Sequence, residues 1–200
     1  MKNTNHSLFD KYEMIKDLGT GSSGSVTLVR HISMDQERAL KKVPKASAFA
    51  ESALSEARLL KSLEHPSIPR IFDFEDDDAF YYIVEEYIDG ETLDSFLLHQ
   101  QLISPGLFFN ICEQLCNVFI YLHTQISTPI IYRDLKPEHI IVCHNKLKLI
   151  DFGVSAYVIQ DGNNFNHYGN IEFSAPECFT EDTITPAADI YSLGQLLQYI

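Results

Sequence analysis

No apolar run in these 200 residues approaches the roughly 18–20 that a membrane helix needs, so no membrane segment is expected. The first ten residues are polar and contain no apolar h-region, so no signal peptide is expected either. Basic side chains are scarce: 15 Lys and Arg stand against 28 Asp and Glu, a formal net charge of −13. A phosphate backbone needs a basic footprint, so nucleic acid is a poor candidate partner and none is expected. Part of the acid lies in one run, Glu75-Asp76-Asp77-Asp78, expected to be a solvated hairpin turn. The four cysteines (Cys112, Cys116, Cys143, Cys178) form no CxxC pair, which argues against a structural zinc or a disulfide framework. Cys112 and Cys116 lie four apart in an apolar helical stretch and are expected to be reduced core thiols, with the cytoplasm as the expected compartment. There is no internal repeat of 20–50 residues and no low-complexity segment.

What is present divides in two. Residues 12–43 alternate apolar and polar positions with Gly and Ser interruptions, predicting a meander of three strands. Residues 49–63 have helical spacing, with Ala53, Leu54, Ala57, Leu60 and Leu63 as an apolar stripe ended by His65-Pro66. Segments 68–74 and 80–87 predict a hairpin around the acidic turn. After the break at Asp89-Gly90, residues 93–98 and 107–123 are helical, and short strands follow at 130–131, 140–143 and 146–150. Residues 151–177 are irregular and polar, and 190–200 are strongly apolar. The expected fold is α+β and two-lobed: an antiparallel β lobe with one helix over 1–86, and a mostly helical lobe over 87–200.

Three groups of residues carry chemistry. Gly19-Thr20-Gly21-Ser22-Ser23-Gly24-Ser25-Val26 holds a GxGxxG pattern, which alone is weak. A dinucleotide fold requires a helix directly after the glycines. Here they open onto the β-branched run Val26-Thr27-Leu28-Val29, so the pattern fits a hairpin tip whose backbone N–H groups fold over a polyphosphate, or a plain turn. Lys41 follows in the third strand. Glu56 on the next helix is its best partner, while alternation turns Lys42 outward. Third comes Tyr132-Arg133-Asp134-Leu135-Lys136-Pro137-Glu138-His139, followed by Asp151-Phe152-Gly153.

With these motifs in order, and with Ser174-Ala175-Pro176-Glu177 and Asp189-Ile190-Tyr191-Ser192-Leu193-Gly194 after them, the chain resembles the protein kinases from Tyr12 to its last residue. Its wording is most similar to bacterial members of the Ser/Thr type. The resemblance implies that Asp134 is the catalytic base, that Lys136 steadies the γ-phosphate and that Asp151 holds Mg²⁺. It implies that Lys41, paired with Glu56, holds the α- and β-phosphates. Gly19, Gly21, Gly24, Val26, Ala39 and Ile141 would enclose ATP, with Glu86, Tyr87 and Ile88 as the hinge that meets the adenine edge. Leu60, Ile71, Tyr132 and Phe152 would form an internal apolar stack anchored through Asp189; each is equally an ordinary core residue. Small-molecule kinases of the aminoglycoside type share this fold, but do not usually carry Arg-Asp-Leu-Lys-Pro or Ala-Pro-Glu.

Four departures bear on activity. His139 occupies the place of an asparagine that ligates a second Mg²⁺. Imidazole is a poor Mg²⁺ ligand, so second-site binding is weakened and Mn²⁺ becomes an alternative. Asn170 replaces a threonine that bridges the catalytic Asp and Lys. Glu85, just before the hinge, replaces an apolar residue; it either accepts a hydrogen bond from the adenine or pairs within the protein. Finally, the sequence stops at Ile200 inside a helix that the family buries. Leu193, Leu196, Leu197 and Ile200 are thus expected to be partly exposed, with either a partner surface covering the helix or the 200 residues being a fragment with an incomplete second lobe. The expected function is transfer of the ATP γ-phosphate to protein Ser or Thr hydroxyls. The alternative is a nucleotide-binding scaffold with little or no transfer.

Overall fold

Alternation along the first ninety residues builds a sheet with two different faces. The computed structural model describes residues 8–21, 24–100, 102–157, 170–180 and 184–200. After a single helical turn, α1 (Leu8–Lys11), come β1 (Tyr12–Gly21), β2 (Gly24–His31), β3 (Gln36–Pro44), helix α2 (Ala50–Lys61), β4 (Ile71–Asp76) and β5 (Phe80–Glu86). The strands form one antiparallel sheet in the order β1-β2-β3-β5-β4. One face buries Leu8, Tyr12, Val29, Leu40, Tyr82 and Val84. The other packs Val43 and Ile83 against Ala53 and Ala57 of α2. Gly24 is the one position where this sheet demands glycine: its φ is +138°, and a Cβ there would lie 2.1 Å from the Lys42 carbonyl oxygen.

The acidic run is more structured than a solvated turn. Glu75 and Asp76 belong to β4; Glu75 accepts the Leu8 N–H, and Asp76 pairs with Lys45 at 2.5 Å. Asp77 closes the turn by accepting the N–H groups of Ala79 and Phe80 and the Tyr82 hydroxyl, which together hold its carboxyl below the usual range. β4 starts at Ile71 rather than residue 68, because the Ser67 carbonyl accepts the Leu149 N–H instead and Pro69 has no donor to give a ladder.

The chain divides into two compact units: residues up to Leu63 with Pro69–Tyr87, and Glu64–Ile68 with Ile88–Ile200. The second contains β6 (Glu91–Thr92), α3 (Leu93–Leu98), α4 (Pro105–Ile120) running into a π-helical turn (Tyr121–Gln125), and β7 (Ile130–Ile131). A 3₁₀ turn (Pro137–His139), β8 (Ile140–Cys143), β9 (Lys146–Leu149), β10 (Ala156–Tyr157), α5 (Glu177–Thr180) and α6 (Ala187–Tyr199) complete it. Ser104 caps α4 by accepting the Leu107 N–H, with Pro105 in the first turn, and Ile111, Leu115, Val118, Phe119 and Leu122 form its buried stripe.

Two expectations fail here for the same reason, helical phase. Cys116 lies off the α4 stripe and is exposed, and Cys112 is only half-buried; of the four free thiols Cys178 alone is buried. In α6 the expectation fails for Leu193 and Leu196, which are buried on the inner stripe with Ala188, Asp189 and Ser192, and holds for Leu197 and Ile200, which are half-buried, whereas Ile190, Tyr191 and Tyr199 face outward. No helix among the described residues is long and apolar enough to cross a membrane.

Candidate catalytic site

In the first unit, strand pairing orients the lysine. Lys41 sits opposite Val26 on one side and Ile83 on the other, which aims its side chain at the α2 face of the sheet. Glu56 lies on the buried stripe of α2 between Ala53 and Leu60. The two meet at 2.7 Å, with the glutamate side chain 9% exposed. Lys42 turns to the opposite face, its ammonium 4.0 Å from the Phe80 ring centre. Gly19 pairs with Val26, and Gly21 with Gly24 across the hairpin tip. No atom lies within 4 Å of where a Cβ on Gly19 or Gly21 would sit, so this tip leaves open space above its backbone. Ser22 and Ser23 lie outside the described residues. Ala39 pairs with Leu28 and with Glu85, the half-buried carboxylate of β5. Glu86 donates its backbone N–H to the Arg70 carbonyl at 2.9 Å.

In the second unit, a buried carboxylate shapes the loop between β7 and the 3₁₀ turn. Asp189, fully buried at the start of α6, accepts the N–H groups of Tyr132 and Arg133, each at 2.8 Å, and lies 2.8 Å from His123 Nε2. His123 reaches it from the π turn, where the extra residue per turn rotates the ring off the α4 stripe. This clamp holds Arg133 at φ +75°, a left-handed conformation that costs an ordinary residue about 1–3 kcal/mol. Tyr132 is pinned further: its hydroxyl donates to the Ile150 carbonyl, and its ring meets Phe152 edge-on at 5.0 Å.

The loop so held presents Asp134, only 3% exposed, with Lys136 Nζ 3.2 Å from its Oδ2. Asp151 follows β9, also left-handed at φ +59°, with its Oδ1 accepting the Gly153 N–H at 3.3 Å. Its side chain is 54% exposed. The imidazole of His139 stands between the two carboxylates: Nδ1 is 3.3 Å from Asp134 Oδ2, and Nε2 is 3.4 Å from Asp151 Oδ2. Asp134, Lys136, His139 and Asp151 thus share one cluster. Ile88 and Ile141 are half-buried, the latter in β8 opposite Thr92 and Lys148.

Asn170 is engaged locally. Its side-chain oxygen accepts the Glu172 N–H, and its backbone closes a turn with Ser174. Asp161 and Tyr168, between Asp151 and Ala175, lie outside the described residues. Two positioning residues escaped the sequence reading. His123 gave no signal beyond a histidine at a helix end. Gly90 is required because a Cβ would lie 2.4 Å from the Val142 carbonyl oxygen, and a Gly after Asp reads equally as a simple break.

As to known proteins, the protein kinase domain model matches residues 12–200. The serine/threonine-protein kinase PrkC of Bacillus subtilis is 31% identical over 94% of this chain and 30% of its own length. Serine/threonine-protein kinase ppk25 of Schizosaccharomyces pombe is 33% identical over 91% of this chain and 44% of its own length. PknB of Mycolicibacterium smegmatis, also a serine/threonine-protein kinase, is 29% identical over 96% and 32%. The chain therefore spans 30% to 44% of the length of these curated relatives.

Proposed function

We propose that this chain, which belongs to the protein kinase family, transfers the γ-phosphoryl group of ATP to serine or threonine hydroxyls of proteins. The observation that carries the proposal is the cluster on the clamped loop: a buried Asp134 with the Lys136 ammonium at 3.2 Å, beside Asp151. In this reading Asp134 accepts the proton of the substrate hydroxyl. That oxygen bonds to the γ-phosphorus, the bond from γ-phosphorus to the β–γ bridging oxygen breaks, and ADP departs with the electron pair. Lys136 stabilises the charge on the transferring group. The same ammonium holds the Asp134 carboxylate in place before substrate arrives. Lys41, fixed by Glu56, binds the α- and β-phosphates, and Gly19, Gly21 and Gly24 let backbone N–H groups approach them. Val26, Ala39, Ile141 and the hinge residues Glu86 and Ile88 take the adenine.

A divalent cation neutralises phosphate charge in this chemistry. Asp151 suits one: a half-exposed carboxylate with an oxygen to spare is the usual protein share of a Mg²⁺ site completed by phosphates and water. Among the described residues no group of three or more His, Cys, Asp or Glu could hold a metal by itself. Cytoplasmic residence fits the reduced cysteines and acidic surface. The second reading, a nucleotide-binding scaffold, draws on His139 occupying the space between the two carboxylates.

Incubation with ATP, Mg²⁺ and a dephosphorylated casein tests the proposal, with mass spectrometry of the casein and a count of ADP released. Phosphoserine or phosphothreonine in step with ADP supports it. A nucleotide-dependent rise in melting temperature with no phosphorylated product supports the scaffold instead.

A further inference from the structure

The second unit holds a cleft of about 430 Å³ that the proposed phosphotransfer does not use. Its walls are the loop after α2, one face of α4 with the π turn, and the start of β9. Side chains clamp these walls together. The Tyr121 hydroxyl accepts the Glu64 N–H at 2.8 Å, which ties the π turn to the loop. Gln114 ties α4 to the β8–β9 hairpin: its oxygen accepts the Leu147 N–H at 2.8 Å, and its amide donates to the Asn145 carbonyl at 3.0 Å. The cleft is thus built before any ligand arrives, as small-molecule sites usually are.

What the clamps leave over is chiefly hydrogen-bond donors. Among the described residues no Asp or Glu lines the cleft, in a chain that carries 28 of them. Lys146 lines it without an ion pair among the described residues. Ser67 is 7% exposed and has spent its backbone: its N–H goes to His65 Nδ1, and its carbonyl accepts from Leu149. The Ser67 hydroxyl has no partner among the described residues. Because His65 Nδ1 accepts that N–H at 3.1 Å, the neutral ring carries its hydrogen on Nε2. Burial, and then the nearby Lys148 ammonium, hold the His65 pKa below the ordinary 6.5, so the ring is neutral at pH 7. Its Nε2–H has no partner among the described residues either, and the same holds for the side-chain amides of Asn117 and Gln125 on the opposite wall.

We propose that this cleft binds a small phosphate monoester, with Lys146, His65 and Ser67 holding the phosphate and Asn117 and Gln125 facing the hydroxyls of the remainder. A phosphate ester carries up to two negative charges and three strong acceptor oxygens in a tetrahedral spread. An ammonium from the hairpin meets it from one wall, and an N–H and an O–H from the loop meet it from another. Hydrogen bonds to a charged acceptor are the strong kind. A carboxylate, with two oxygens in one plane, serves such a spread less well. Amides both donate and accept, which suits hydroxyl groups. The volume lies within the roughly 300–1,000 Å³ of small-molecule sites. The site stands apart from phosphotransfer and does not depend on it.

Nitrogen–proton correlation NMR of the ¹⁵N-labelled chain, titrated with ribose 5-phosphate and separately with ribose, tests this. The ester should shift, saturably, the backbone amides of His65, Ser67, Lys146 and Leu147 and the side-chain amides of Asn117 and Gln125. Ribose should shift none of them. Lys146→Glu, at an exposed position, should raise the dissociation constant at least about tenfold. Lys16→Glu, the same charge change on exposed β1, should leave it within about twofold. Should Lys146→Glu not fold, Asn117→Asp on the exposed face of α4 places a like charge in the cleft and should weaken binding in the same direction. Saturable shifts confined to residues 19–24 would overturn the proposal, as would no saturable shift or equal shifts with ribose. Equal affinity in a folded Lys146→Glu, or an equal loss in Lys16→Glu, would overturn it too. A phosphoserine peptide that binds the cleft where ribose 5-phosphate does not would overturn the small-molecule assignment in favour of a protein ligand.

Discussion

Lys41 and Glu56 lie fifteen residues apart in sequence and 2.7 Å apart in space, and each is the other's reason for being buried. Lys41→Met would remove the cation that pairs with Glu56, whose side chain is 9% exposed. The expected loss is about 1–3 kcal/mol in stability, measured by urea titration, and at least about 100-fold in phosphotransfer. The ATP-dependent rise in melting temperature should shrink in the same variant. Glu56→Gln should act in the same direction, and the double variant should cost less than the sum of the two, because they share one interaction. Strict additivity would show that the pair is incidental. Strand alternation and the 3.6-residue helix turn dictate which way each points, but in isolation Lys41 reads better as a surface lysine, and only the motifs that follow it single out the pair. His139 was legible as an odd residue in a familiar place, but its position between the Asp134 and Asp151 carboxylates was not, because that depends on how the two loops fold around it.

Two glycines separate backbone need from mere presence at the level of the elements. Gly24 joins β1 to β2 at φ +138° with the Lys42 carbonyl 2.1 Å from a would-be Cβ; Gly194 sits in α6 with nothing within 4 Å. Gly24→Ala should destabilise by roughly 2–4 kcal/mol, whereas Gly194→Ala should stabilise by roughly 0.5–1 kcal/mol, both by thermal or chemical unfolding. The β4–β5 turn has its own signature. Three hydrogen bonds depress the folded-state pKa of Asp77 below its ordinary 3.8, the backbone N–H of Ala79 contributing most. The folded state thus binds the proton less tightly than the unfolded one. The stabilisation is present above the ordinary value and goes as pH falls through and below it. Asp77→Asn should flatten the acid limb of melting temperature against pH below about 4.5, and an unchanged limb would contradict that role. Strands and helices were readable from periodicity. What periodicity missed was local: a π turn that sends His123 to Asp189, an acidic run with partners, and the helical phases that expose Cys116 and bury Leu193.

Across the whole molecule, two units each carry part of the proposed machinery: the lysine–glutamate pair in one, the aspartates with Lys136 in the other. Their kinship was legible because the motifs are short, local and ordered, whereas activity depends on how side chains converge. Residues 151–175 carry a prediction about regulation. Between Asp151 and Ala175 there is no threonine, and the only serines are Ser155 and Ser174. Ser155 donates its hydroxyl to the Tyr132 carbonyl, and Ser174 is 6% exposed and accepts the Asn170 N–H. Phosphopeptide mapping after incubation with ATP, with activity before and after phosphatase, should find no phosphoserine there that controls activity. A stoichiometric one at either site, whose removal abolishes activity, would contradict this. The most direct test is transfer of labelled γ-phosphate to casein by the unaltered chain and by Asp134→Asn, in Mg²⁺ and in Mn²⁺, with nucleotide binding followed in parallel. The expected result is transfer by the unaltered chain that falls roughly 10²–10⁴-fold in Asp134→Asn, with the nucleotide-dependent melting shift unchanged. Equal transfer by both proteins, or none by the unaltered chain while nucleotide still binds, would contradict the assignment of Asp134 as the base of an active kinase.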